Sequence, residues 1–342
     1  MPTRSFNRIS ELHDVAQAQV GLVTAAQLAQ LGVATSTISR RSRAGGMWTR
    51  VLPAVHLITG GNPDRFQREV AAALYCGDDS MITGLTALHY HGLALNPDVE
   101  TATTNIIHVL IPHARRVASN SFVVTERTRQ MPPPHTTRTY PRLSIAPPDR
   151  AVADAARHLR DRSNVQVLIS EVVRRGITSV DDLTAVLDSG PRKGSAHLRT
   201  ALAHVRLGAW SAPEGDLIDI VHTTGLPTPL LNRRLTTYSG RFIAIPDAWF
   251  DDVGLALEVD SHQHHAGGID LERTIRRNAA YARAGIPCLP LTPNAIRNDP
   301  DGVALAITDA YHAAALTPRP NVRVSEPVIF DRAATIPFRW AG

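Results

Sequence analysis

Apolar residues recur at helical spacing over the first third of the chain, with short apolar or alternating runs between the helical blocks. Ile9, Leu12, Val15 and Ala16 lie on one helix face, which predicts a helix from Ile9 to Gln19, broken by Gly21. Thr24 is placed to cap a second helix from Ala25 to Leu31, and Gly32 makes the turn that follows. Thr35 or Ser36 is placed to cap a third helix reaching about Ala44, ended by Gly45-Gly46. Trp48 to Ile58 alternates enough for two short strands. Three helices and a two-stranded wing predict a winged helix-turn-helix over residues 1–62.

Residues 63–207 predict a central α+β and helical region. Phe66, Val70, Ala73 and Leu74 keep a helical period, and Thr83 to Leu93 predicts a short second helix. Ile106–Ile111 and Phe122–Glu126 read as strands, while the proline-rich stretch from Met131 to Pro148 reads as a connector. Helices are expected at Pro148–Arg160, Val165–Arg175, Val180–Leu187 and Ala196–Val205. His89 and His91 are two apart, cannot share a helix face, and read as core or turn histidines. Asp154, between Arg150 and Arg157, reads as an ion-pair or capping residue.

The richest chemistry lies in residues 208–312, followed by an aperiodic tail over 313–342 in which Trp340 is the natural anchor. Ser211 is placed to cap a helix over Pro213–Thr223 with Glu214 in its first turn. Arg233–Tyr238 and Arg241–Pro246 predict a hairpin around Ser239-Gly240. The extended run Phe242–Ile245 leads to Pro246-Asp247, and Leu255-Ala256-Leu257 leads to Glu258 and Asp260, which share a strand face. Neighbouring strands finishing in carboxylates suit Mg²⁺, which takes oxygen ligands together with substrate phosphate oxygens. His262, His264 and His265 follow at once; zinc there would need four ligands for a structural site, and no cysteine is close in sequence.

Composition narrows the classes. Of 342 residues 43% are hydrophobic and 20% charged, which excludes a disordered chain. No run approaches the ~20 apolar residues a spanning helix needs, and Met1–Asp14 shows no apolar signal core, so a cytoplasmic protein without a membrane partner is expected. Cys76 and Cys288 are too distant in sequence to suggest a disulfide framework and read as apolar fillers. The net charge is +5, and residues 1–60 carry six arginines against Glu11 and Asp14. The third helix and wing expose Thr35, Ser36, Thr37, Ser39, Arg40, Arg41, Arg43, Trp48 and Arg50, hydroxyls and guanidiniums that suit phosphates and base edges of double-stranded DNA. A solvated helix face or a protein-binding winged helix would carry the same residues.

Asp247, then Glu258-x-Asp260 eleven residues on, then His265, resembles the PD-(D/E)xK restriction-endonuclease-like superfamily, in its very-short-patch-repair-like branch and the family known as DUF559. Asp270, Arg273, Gly285 and the strand Ile286–Leu291 follow in that family's order, and Pro213-Glu214 and Gly225-Leu226-Pro227 precede. The superfamily's usual lysine is Asp260 here, Ser261 stands where the branch usually has Gly, and Pro290 where it often has Arg; the only lysine, Lys193, is remote in sequence. The resemblance implies a restriction-endonuclease-like α/β/α domain and a catalytic set of Asp247, Glu258, Asp260 and His265. Asp247 and Glu258 would ligate Mg²⁺ or Mn²⁺, His265 would carry protons, and Glu214, Asp270 and Arg273 would support them, with Arg277 steadying a phosphate or pairing with Asp270. The N-terminal pattern resembles AbiEi-type antitoxins, whose regulatory reading adds a cognate toxin as partner and leaves the nuclease fold as inactive scaffold. A homodimer is open under either reading.

Overall fold

Thr24, at extended backbone angles, accepts a hydrogen bond from the Gln27 amide while the Gln27 side chain returns one to the Thr24 amide, and this reciprocal cap starts a helix where the sequence placed it. The structure, a computed structural model, describes residues 3–93, 105–137, 141–260 and 268–325. The chain is mixed α/β and divides into two compact units, Met1–His158 and Leu159–Gly342. Among the described residues no helix is long and apolar enough to cross a membrane.

The first unit begins with α1 (Thr3–Ala18), β1 (Leu22–Thr24), α2 (Ala25–Gln30), α3 (Thr35–Arg41), β2 (Thr49–Leu52) and β3 (Val55–Leu57). The strands form an antiparallel sheet in the order β1-β3-β2. Two sequence expectations change here. The cap of α3 is Ala34, with no side-chain hydrogen bond, so Thr35 is its first helical residue; and α3 stops at Arg41, short of Ala44. Ala16, Val23, Leu28, Ile38 and Trp48 form the core beneath these helices. Val20 holds φ +50, a conformation costly for a β-branched residue, just before Gly21 at φ +88.

The same unit continues through α4 (Arg65–Cys76), β4 (Met81–Thr83), α5 (Gly84–Tyr90), β5 (Ile107–Pro112), β6 (Val123–Thr128), β7 (His135–Thr136), β8 (Ser144–Ile145) and α6 (Pro148–His158). Their five strands are ordered β6-β5-β4-β8-β7, parallel at β5/β6 and β4/β8 and antiparallel elsewhere. Two features escape the sequence reading: β4, only three residues long, and β7 with β8, which lie inside the proline-rich stretch taken as a connector. Asp154 of α6 is fully buried, and its carboxylate accepts from Arg150 at 2.9 Å, Arg157 at 2.8 Å and the Thr83 hydroxyl at 2.7 Å. A buried charge with partners on both oxygens avoids most of the cost of burial.

The second unit opens with α7 (Arg162–Arg174), α8 (Val180–Ser189), α9 (Ala196–Leu207) and α10 (Ala212–Thr224). Gly215 is required where α10 meets α9, since a Cβ there would sit 2.3 Å from Nδ1 of the buried His204. The chain then runs through β9 (Leu230–Leu231), β10 (Leu235–Thr237), β11 (Phe242–Ala244), β12 (Ala248–Phe250), β13 (Leu255–Val259), α11 (Gly268–Arg283), β14 (Cys288–Leu291), α12 (Pro293–Asn298), α13 (Pro300–Ala315) and β15 (Val322–Val324). A four-stranded mixed sheet, β14-β13-β12-β9, lies at the centre, with β13/β14 parallel. Strand alternation sorts its side chains. Ala248, Phe250, Leu255 and Leu257 face a core completed by α10, α12 and α13; Trp249 and Ala256 face the other, completed by Tyr281 of α11 and by the hairpin β10/β11. The hairpin turns at Ser239-Gly240 as expected. Part of the tail is ordered as β15 on β10, and Trp340 lies outside the described residues.

Candidate functional site

The carboxylates of the second unit meet, though by a different route from the one expected. Asp247 does not end a strand beside β13; it immediately precedes β12, a strand absent from the sequence reading. Because β12 and β13 are antiparallel, with Ala248 opposite Leu257, the start of one strand lies at the end of the other. Asp247 Oδ2 accepts the Val259 amide at 2.6 Å, and the Glu258 carboxyl is close enough for its charge to bear on Asp247.

Glu258 is 2% exposed. It is on the sheet face toward α11, where the Tyr281 hydroxyl donates to Oε1 and Arg277 Nη1 lies 2.9 Å from Oε2. Arg277 and Tyr281 are four residues apart and so on one face of α11. Burial, then the charges of Glu258 and Glu214, push Asp247 up to about 8, and burial also raises Glu258. Glu214 reaches this neighbourhood from the first turn of α10. It accepts from the Ser211 hydroxyl at 2.7 Å, the Trp210 amide at 2.9 Å and the Asn232 side chain at 2.7 Å. Asp260 follows β13, its amide bonded to the Leu291 carbonyl at 2.7 Å, and its charge bears on Glu258.

The structure thus joins Asp247 to Glu258 and places Glu214 and Asp260 within electrostatic reach. Arg277 pairs with Glu258, a partner that spacing along the helix did not suggest. Tyr281 and Asn232 were not singled out in the sequence; the four-residue step from Arg277 to Tyr281 was the available signal. His262, His264 and His265 lie outside the described residues, and Asp270 and Arg273 are on α11 with their side chains outside them. The donors at the strand ends are all oxygen, which suits a hard divalent cation, and the repulsion between buried carboxyls is one such a cation would relieve. Three ligating atoms within 4.8 Å of one another occur once among the described residues, and that group is in the first unit, not here.

In the first unit Thr35, Ser36, Ser39, Arg40, Arg41, Arg43 and Arg50 are exposed and Thr37 is half-buried. Trp48 is the exception. Expected on the wing surface, it is 5% exposed and fills the core under α3, with the Arg41 guanidinium 5.1 Å from its ring centroid. An indole flanked by apolar helix faces stabilises more as core than as an exposed contact.

No protein-family model matches the chain. Two proteins of Mycobacterium tuberculosis, from strains CDC 1551 and H37Rv and both described as uncharacterized, are each 26% identical to it over 245 residues, covering 72% of this chain and 86% of theirs.

Proposed function

We propose that this protein binds double-stranded DNA through a winged helix-turn-helix formed by its first three helices and first sheet. We further propose that its second unit carries a restriction-endonuclease-like domain that hydrolyses phosphodiesters with Mg²⁺ or Mn²⁺. The observation that carries the reading is the Asp247–Glu258 pair, two buried carboxyls brought together where β12 and β13 meet. These two side chains would hold the cation, with Asp260 beside them. A divalent cation bound there supplies charge neutralisation at the scissile phosphate and activates a water. Tyr281 and Arg277 hold Glu258 in one orientation, and Ser211, Asn232 and the Trp210 amide do the same for Glu214. His265 takes the proton-carrying role its place in the family pattern implies, and Asp270 and Arg273 the supporting ones. The exposed arginines of α3 and β2 supply phosphate contacts.

One observation favours a second reading. Arg277 already sets a positive charge 2.9 Å from Glu258, which would suit a scaffold kept without catalysis in an AbiEi-like regulator with a cognate toxin. Supercoiled plasmid incubated with the full chain and Mg²⁺ or Mn²⁺ separates the two. Nicking abolished by Asp247→Asn and Glu258→Gln is the expected result. DNA binding without nicking in either metal, or nicking untouched by both substitutions, removes the hydrolytic reading.

A further inference from the structure

We propose that His108, Glu126 and His158 form a binding site for one divalent transition-metal ion of the zinc type, distinct from the carboxylates of the second unit. His108 is on β5, Glu126 on the adjacent parallel strand β6, and His158 is the last residue of α6. Each offers one ligand atom, and these atoms lie within 4.8 Å of one another. Both imidazoles converge on a single oxygen: Glu126 Oε1 is 3.3 Å from His108 Nδ1 and 2.8 Å from His158 Nε2. The edge of a zinc tetrahedron with bonds of about 2.1 Å is about 3.4 Å, so small side-chain movements reach coordination distances.

The alternative is a closed hydrogen-bonded trio needing no ion, and two observations weigh against it. The His108–Glu126 contact is too poorly aligned to count as a hydrogen bond, leaving the buried Nδ1 without one. The rings stack at 4.0 Å between centroids and 37°, an arrangement that the two would avoid if both were charged. A carboxylate oxygen facing two ring nitrogens is a ready ligand set.

Two imidazoles and one carboxylate select borderline cations over Mg²⁺, which prefers oxygen throughout. The His158 side chain is 40% exposed, so one side of the cluster opens to solvent. Three protein ligands with an open side leave a coordination position for water, the pattern of zinc sites that do chemistry rather than of closed structural ones. Behind the ligands, the Asp154 carboxylate is buried among Arg150, Arg157 and Thr83 and fixes the end of α6 that carries His158.

The test is titration of the chelator-treated full chain with Zn²⁺ by calorimetry, and with Co²⁺ by visible absorption. The expected result is a site of one-to-one stoichiometry with tetrahedral or five-coordinate Co²⁺ bands. His158→Ala, at an exposed helix end, and Glu126→Gln each weaken Zn²⁺ binding at least tenfold and abolish the bands, while thermal unfolding of the metal-free variants confirms they are folded. The double variants Asp247→Asn/Glu258→Gln and His262→Ala/His264→Ala leave the site intact. Binding no tighter than millimolar, or affinity unchanged in His158→Ala and Glu126→Gln, overturns the proposal. So does loss of the Co²⁺ bands in either double variant.

Discussion

Asp247→Asn tests the carboxyl pair apart from any catalytic assay. The Asp247 carboxyl is raised from 3.8 to about 8 by burial and by the charges of Glu258 and Glu214. A group raised in the folded state contributes stability that is complete below its unfolded value and lost as pH climbs through the folded one. The metal-free protein therefore loses stability between about pH 4 and pH 8. At about 1.4 kcal/mol per unit the whole shift is worth about 6 kcal/mol. Relaxation around the pair, and its mutual interaction with Glu258, reduce the working figure to about 3 kcal/mol. Asparagine keeps an oxygen to accept the Val259 amide, so the variant retains that contact without the second charge. Calorimetric unfolding in chelator should show the wild type losing about 6–12 °C between pH 5 and pH 8.5, with Asp247→Asn losing far less and being the more stable protein at pH 8.5. Mg²⁺ or Mn²⁺ should restore the wild type at high pH and leave the variant unmoved. A flat wild-type profile over that range, or an asparagine variant less stable at both ends, would refute the reasoning.

Four other outcomes are expected. Tyr281→Phe removes the hydroxyl that donates to the buried Glu258; denaturant unfolding should report a loss of about 1–3 kcal/mol. Gly215→Ala drives a methyl against His204 and should cost about 1–3 kcal/mol in the same measurement, whereas Val20→Gly releases a strained φ of +50 and should stabilise by up to about 1 kcal/mol. Arg40→Ala with Arg41→Ala should weaken DNA binding and flatten the log affinity against log salt plot by about 1–2 units; an unchanged slope would assign α3 to protein contacts.

Local signals explain what could be read in advance. The Thr24 cap, the Ser211 cap and the Ser239-Gly240 turn depend on a few neighbouring residues, and each occurs where the sequence put it. Every helix the sequence predicted is present, though α12 and α13 were not foreseen; ends moved, as at α1, which begins at Thr3 rather than Ile9. The short strands β4 and β12 were illegible because three residues carry too little period to stand out, and the partners of β4 are distant along the chain. Trp48 was misplaced for a related reason: alternation in a short wing cannot tell which face the helices will cover.

The sequence by itself determined the acidic and basic chemistry available: Asp247, Glu258 and Asp260 clustered after apolar runs, and arginines concentrated at the start. Tertiary structure alone decided which of these groups meet. Antiparallel pairing of β12 with β13 brought Asp247 to Glu258, and one face of α11 set Arg277 and Tyr281 on the same carboxylate. His108, Glu126 and His158 share no motif at all; they converge because a parallel strand pair and the end of a helix pack together. Spacing along a chain reports neighbours within an element, whereas ligand sets drawn from separate elements exist only after packing has chosen the register.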